Sequence, residues 1–71
     1  MERVPVRSSS IASAGYSTDG STLELEYRNG SVYQYFAVPK NVFDSLLAAQ
    51  SKGIFVSERI RGRYPYRRVP R

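Results

Sequence analysis

The sequence predicts one small α+β domain, in which a three-stranded antiparallel β-meander packs against one main helix and a short second helix. Three observations predict this class. Residues 22–28 alternate strictly between apolar and polar side chains, which is the period of a half-buried strand. An Asn-Gly pair follows at once and joins this segment to an aromatic one. Apolar residues then recur at helical spacing within residues 39–50. At 71 residues, the chain has room for one domain only.

The meander is predicted from three segments in the first half of the chain. Residues 3–10 are polar and contain a proline and three serines, so we interpret them as a lead-in arm that frays at its end. The small residues 11–16 form the first strand, and the Asp19-Gly20 pair after it is a turn signal. Residues 22–28 and 31–36 form the second and third strands.

The hairpin register follows from the Asn29-Gly30 pair. Both residue types tolerate the positive φ angles of a two-residue type I′ turn, so we take these two residues as the whole loop. Tyr33 and Tyr35 then lie on the face of the sheet opposite the leucines, whereas a one-residue bulge would turn both rings inward. The predicted pairs are Arg28 with Ser31, Tyr27 with Val32, Glu26 with Tyr33, Leu25 with Gln34, Glu24 with Tyr35 and Leu23 with Phe36.

Two helices are predicted after the hairpin. Proline at position 39 ends the strand and suits a first helical turn, so a helix is expected over residues 39–50. Ser51 then caps a short helix over residues 53–60, for which a strand is the competing interpretation. The proline-containing tail beyond Gly62 is expected to lack regular structure. The predicted core consists of Ile11, Leu23, Leu25, Val32, Phe36, Val42, Phe43, Leu46, Leu47, Phe55 and Ile60.

Short motifs along the chain resemble those of one known family. They are Ser8-Ser9 before Ile11, Gly15-Tyr16, the triplet Tyr33-Gln34-Tyr35 after the Asn-Gly turn, Val38-Pro39, Ser51-x-Gly53, and Ile60-Arg61 with Tyr64. In this order they resemble the KTSC domain, which is named after the C-terminal extension of some lysyl-tRNA synthetases and also occurs as small bacterial and phage proteins. The resemblance covers residues 6–64 and leaves residues 65–71 as a basic tail. It implies the same α+β fold and, through the synthetases, an association with RNA.

The composition excludes several classes of function. The chain contains no cysteine and no histidine, so disulfides, thiolate or imidazole metal sites and the common Ser-His or Cys-His nucleophiles are excluded. No apolar run has the length of a membrane span or a signal peptide. We therefore expect a cytoplasmic binding protein that is not an enzyme and that uses no metal, cofactor or membrane.

Positive charge is concentrated at the C-terminal end. The net charge is +5, yet the last 13 residues hold six arginines and no acid. Arginines interleaved with tyrosines combine phosphate pairing with surfaces on which bases stack. The residues predicted to contact nucleic acid are Tyr33, Tyr35, Arg59, Arg61, Arg63, Tyr64, Tyr66, Arg67, Arg68 and Arg71.

Each of these candidates has an alternative interpretation. Tyr33 and Tyr35 project from one sheet face and suit base stacking, but they also suit an interior in which each hydroxyl finds a partner. In the predicted register Glu24 and Glu26 lie beside them and would repel phosphate. The arginine end suits RNA or DNA, but also an acidic protein surface or solvent alone. The first hypothesis is an RNA- or single-stranded nucleic-acid-binding module, and the alternative is a module that docks on a larger enzyme or an acidic protein.

Overall fold

The structure is a computed structural model that describes residues 1–70, and it confirms an α+β fold with two helices and an antiparallel sheet. The sheet has five strands rather than three, in the order β1-β2-β3-β4-β5, each antiparallel to its neighbours. Neither helix in this part of the chain is long and apolar enough to cross a membrane. The elements are β1 (Arg3–Pro5), β2 (Ile11–Ser17), β3 (Thr22–Tyr27), β4 (Val32–Tyr35), α1 (Lys40–Ala48), α2 (Lys52–Arg59) and β5 (Tyr66–Val69).

The two additional strands form the edges of the sheet. The segment interpreted as a frayed arm is β1, in which Val4 faces Ala14 of β2. The tail expected to be irregular contains β5, in which Arg67 faces Gln34 of β4. Both predictions were wrong because an edge strand is held by hydrogen bonds to another segment of the chain, which its own few residues do not reveal. Prolines did not prevent the pairing, since an edge strand tolerates a residue without an N–H donor.

The β3–β4 hairpin differs from its predicted register by one residue. Gly30 N donates to Tyr27 O at 2.9 Å, and Tyr27 N donates to Ser31 O at 2.8 Å, which gives a three-residue loop. Gly30 has a φ of 91°, whereas Asn29 does not have the positive φ that a type I′ turn requires of both residues. Leu23 therefore faces Tyr35 and Leu25 faces Tyr33. Both tyrosines share a face with the leucines, and the predicted register was wrong.

Both helices begin close to their predicted positions. Pro39 is the N-cap of α1, and Ser51 is the N-cap of α2, where its Oγ accepts a hydrogen bond from Ile54 N at 3.3 Å. A strand over residues 53–60 is thereby excluded. The short link between the helices is also fixed by a side chain, because Lys52 Nζ donates to Ala49 O at 2.7 Å and so satisfies a carbonyl at the end of α1.

The core lies between the helices and the leucine face of the sheet. Five predicted members are buried: Ile11, Leu23, Leu25, Leu46 and Ile60. The one-residue shift sends Val32 to the opposite face, and Leu47 is exposed on α1. The other predicted members, Phe36, Val42, Phe43 and Phe55, are only half-buried. The core is completed by residues that the prediction omitted, namely Ala14, Tyr35, Val38 and Val56.

Candidate functional site

A pocket lined by tyrosines lies on the helix side of the sheet, at the edge formed by β4 and β5. We call it the tyrosine pocket. It has a volume of about 510 Å³ and is open to solvent. The pairing of the strands brings its members together. Tyr35 of β4 faces Tyr66 of β5. Tyr33 of β4 faces Leu25 and so lies next to Tyr27, two residues further along β3. The lining residues are Tyr27, Asn29, Ser31, Tyr33, Tyr35, Arg61, Gly62 and Tyr66.

Four aromatic rings form the wall and floor of the tyrosine pocket. The Tyr33 ring lies at the centre, with centroid distances of 5.6 Å to Tyr27, 6.4 Å to Tyr35 and 5.7 Å to Tyr66. Tyr35 is 3% exposed and forms the floor, whereas Tyr66 is 61% exposed and forms the rim. The two tyrosines predicted to stack bases therefore lie on one face but differ in exposure. Tyr35 belongs to the core, and Tyr33 and Tyr66 present ring surface to the pocket.

The floor of the pocket is electrically neutral at physiological pH. The hydroxyls of Tyr35 and Tyr27 share a hydrogen bond of 3.0 Å. Burial, helped by this bond, raises the pKa of Tyr35 well above that of an exposed tyrosine. Tyr35 therefore stays protonated even at an alkaline pH at which an exposed tyrosine ionises, so it supplies a polar group without charge at the base of the pocket.

The acidic residues nearest in sequence face away from the tyrosine pocket. Alternation along β3 puts Glu24 and Glu26 on the opposite face of the sheet. There Glu24 Oε1 accepts a hydrogen bond from Gln34 Nε2 at 2.9 Å, and Glu26 Oε1 accepts one from Ser13 Oγ at 2.9 Å. No acidic residue within residues 1–70 lines the pocket. The electrostatic objection raised by the predicted register therefore does not apply.

Two arginines lie on the side of the tyrosine pocket. Arg61 follows α2 and lines the pocket directly. Its guanidinium has no hydrogen-bond or ion-pair partner among the residues described. Arg68 faces Tyr33 across β4 and β5, and its Nη2 donates to Ser31 Oγ at 3.2 Å. Arg61 thus offers a free cation at the pocket, while Arg68 joins the edge strand to the hairpin loop.

The remaining arginines are distributed over other surfaces. Arg67 faces Gln34, so it lies on the side of the sheet away from the tyrosine pocket. Arg59 and Arg63 border a different depression, together with the half-buried Tyr64. There the Arg59 guanidinium lies 6.0 Å from the Phe55 ring centroid, and Arg63 Nε donates to the Glu58 carbonyl at 3.0 Å. The last predicted contact, Arg71, lies outside the described residues. The arginine-rich end is therefore not one continuous stripe.

Sequence reasoning missed Tyr27 as a site residue, along with Asn29, Ser31 and Gly62. A signal for Tyr27 was present, because it follows Leu23 and Leu25 at the two-residue period of a strand. The prediction lacked the three-residue loop, which places Tyr33 on the same face of the sheet as Tyr27. In the part of the chain that the structure describes, no three residues among His, Cys, Asp and Glu lie close enough together to hold a metal ion.

Comparison with known proteins identifies the family. The family model described as the KTSC domain matches residues 7–64. A protein from Tsukamurella paurometabola is 45% identical over 60 residues, which are 84% of this chain and 90% of that protein. The lysine-tRNA ligase of Trichormus variabilis is 39% identical over 54 residues, which are 76% of this chain but 10% of the ligase. The crystal structure of a KTSC domain protein from Yersinia pestis matches with a TM-score of 0.92 and 38% identity, over 97% of each chain. This chain belongs to the KTSC domain family.

Proposed function

We propose that this chain is a non-enzymatic module that binds single-stranded nucleic acid in the tyrosine pocket. The observation that carries the proposal is an open pocket of about 510 Å³ with four tyrosines and Arg61 in its lining and no acid among the residues described. Aromatic side chains stack on bases of any sequence, and an arginine beside them pairs with phosphate. The pocket therefore offers a stacking surface for one unstacked base and a cation for the phosphate of its backbone.

Different side chains bind the base and the phosphate. Tyr66, at 61% exposed, supplies a ring on which a base stacks, and Tyr33 lies behind it at 5.7 Å. Arg61 receives a phosphate without losing a partner, because its guanidinium makes no hydrogen bond or ion pair within residues 1–70. Such pairing releases counterions, so the affinity falls as salt is raised.

The proposal is tested by titrating a short labelled single-stranded RNA and following its fluorescence anisotropy at several salt concentrations. We expect binding that weakens steeply with salt, and a clear loss of affinity together with a shallower salt dependence in Arg61→Ala. Arg67→Ala is the matched control, since Arg67 is also exposed and lies on the opposite face of the sheet. Absence of binding at low salt rejects the proposal. Equal losses in the two variants would mean that net charge, rather than the pocket, attracts RNA.

A second candidate function is docking on a larger protein. We place this interaction in the cytoplasm, because a chain without cysteine is suited to a reducing environment. It is favoured by the ligase of Trichormus variabilis, in which the region similar to this chain is one part of a much longer enzyme. Nuclease treatment separates the two candidates. A partner protein that stays bound after nuclease treatment supports docking, and one that is lost supports binding through nucleic acid.

A further inference from the structure

A second cleft adjoins the tyrosine pocket on the same side of the molecule. We call it the serine cleft, because four serines line it: Ser9 and Ser10 before β2, and Ser51 and Ser57 at α2. Its volume is also about 510 Å³. Tyr27 and Arg61 line both cavities, so these two residues lie between the tyrosine pocket and the serine cleft.

The polar groups of the serine cleft are available to a ligand. Within residues 1–70, the hydroxyls of Ser9, Ser10 and Ser57 and the carboxylate of Glu58 have no hydrogen-bond partner. Two polar groups of the lining are engaged: Ser51 Oγ caps α2, and the Tyr27 hydroxyl is bonded to that of Tyr35. The lining contains one acid, Glu58, and one base, Arg61, and so carries no net charge. The lining also includes the apolar residues Ile11, Ile54 and Val56. A cleft that combines apolar side chains with free hydroxyls suits a neutral group that has both C–H surface and hydroxyls, and a sugar meets this requirement.

Gly53 of α2 lies close to Ser10 at one wall of the cleft. A Cβ atom at this position would lie 2.6 Å from Ser10 Oγ and 3.7 Å from Ser10 Cβ, so a larger residue would require the Ser10 hydroxyl to rotate away. Glycine at position 53 therefore leaves room for this hydroxyl beside the first turn of α2.

We infer that the serine cleft is a ribose subsite that makes this protein selective for RNA over DNA. The inference rests on the proposed function. A base lies in the tyrosine pocket, its phosphate pairs with Arg61 where the cavities meet, and the ribose of the adjacent nucleotide enters the serine cleft. There its 2′-hydroxyl, which DNA lacks, exchanges hydrogen bonds with serine hydroxyls and Glu58. The tyrosine pocket and Arg61 act on either nucleic acid, and the serine cleft distinguishes them.

The test compares RNA and DNA strands of one sequence, each titrated into the wild-type protein and into the double variant Ser9→Ala, Ser57→Ala. We expect the wild type to bind RNA about tenfold more tightly, which corresponds to about 1.4 kcal/mol. In the double variant the affinity for RNA falls to that for DNA, while the affinity for DNA is unchanged. Both serines are exposed and unpaired, so the variant should keep the wild-type melting temperature. RNA whose 2′-hydroxyls are methylated should bind the wild type as DNA does, because it has lost the donor.

The possible outcomes separate this inference from the function on which it rests. Equal affinity of the wild type for RNA and DNA overturns the ribose subsite and leaves nucleic-acid binding intact. A preference for RNA that survives in the double variant overturns the assignment to the serine cleft. If neither strand binds at low salt, both the subsite and the proposed function are rejected.

Discussion

Two aromatic pairs lie on the helix side of the sheet, one at each end, and they have different surroundings. At one end Tyr16 stacks on Phe43 of α1 with centroids 5.4 Å apart, and its hydroxyl donates to the Val38 carbonyl at 2.6 Å. At the other end Tyr33 packs against Tyr66, whose ring is largely exposed. The same residue type closes the core where a helix lies above the sheet and lines a pocket where the neighbour is an edge strand. The position of the helices, rather than the strand sequence, distinguishes the surroundings of Tyr16 from those of Tyr33 and Tyr66.

This difference separates residues that stabilise the fold from residues that form the pocket. The helix-covered end contains the buried residues of α1 and α2, Leu46 and Val56, so truncations there should lower the free energy of unfolding. The open end has solvent on one side, and truncations there should change the pocket more than the stability.

The largest effect is expected at the covered end, from Leu46→Ala. Leu46 is 1% exposed and lies in the central cluster with Leu23 and Leu25, so its loss should lower the free energy of unfolding by about 2–5 kcal/mol. That is a large part of the stability of a small domain. Denaturant unfolding measures the loss. Leu47→Ala is the control, because the next residue on α1 is 37% exposed and should matter far less. Similar losses in both variants would contradict the assignment of α1's buried face.

The next effect contrasts the two ends directly, through Tyr66→Ala and Phe43→Ala. Tyr66→Ala removes the exposed ring of the tyrosine pocket, and we expect RNA binding to weaken by about 1–3 kcal/mol with little change in stability. Phe43→Ala removes the ring that covers Tyr16, and it should lower the melting temperature while the folded protein keeps its affinity for RNA. Paired melting curves and anisotropy titrations measure both quantities. If Phe43→Ala weakens binding and Tyr66→Ala does not, the two ends have been assigned the wrong way round.

Local patterns predicted the centre of the fold and failed at its edges. Alternation in β3 and the spacing of apolar residues in α1 are properties of neighbouring residues, and both elements were predicted. β1 and β5 are held by hydrogen bonds from β2 and β4, so their own residues do not identify them as strands. Because β5 was not predicted, the placement of its arginines on two faces was not predicted either. Consecutive residues of a strand point to opposite faces, which separates Arg67 from Arg68 although the sequence suggests a single patch.

Gln34 indicated the correct register of the hairpin, but the prediction gave more weight to the Asn-Gly turn. A two-residue loop places Gln34 opposite Leu25, on the buried face, where an amide without partners is costly. The three-residue loop moves Gln34 to the other face, where its amide donates to Glu24, and buries Tyr35 in its place. The Asn-Gly pair is compatible with both loops, because glycine alone takes the positive φ in the longer one. Burial of the strand's own side chains therefore decided the register.

The smallest expected effect concerns Tyr35, which belongs to both regions as a core residue and as the floor of the tyrosine pocket. Its pKa is raised in the folded state, mainly by burial, so the folded protein holds a proton that the unfolded chain releases above about pH 10. Stability linked to this group is complete below that pH and declines as the pH rises further, by about 1 kcal/mol between about pH 9 and about pH 11. Denaturant unfolding across this range measures it, with Tyr35→Phe as the control that lacks the ionisable hydroxyl. The wild type should lose more stability than Tyr35→Phe over the same interval. Equal losses of stability in the two proteins would show that Tyr35 ionises freely in the folded protein. The floor of the pocket would then be in contact with water, and the distinction between the closed and open ends of the sheet would be lost.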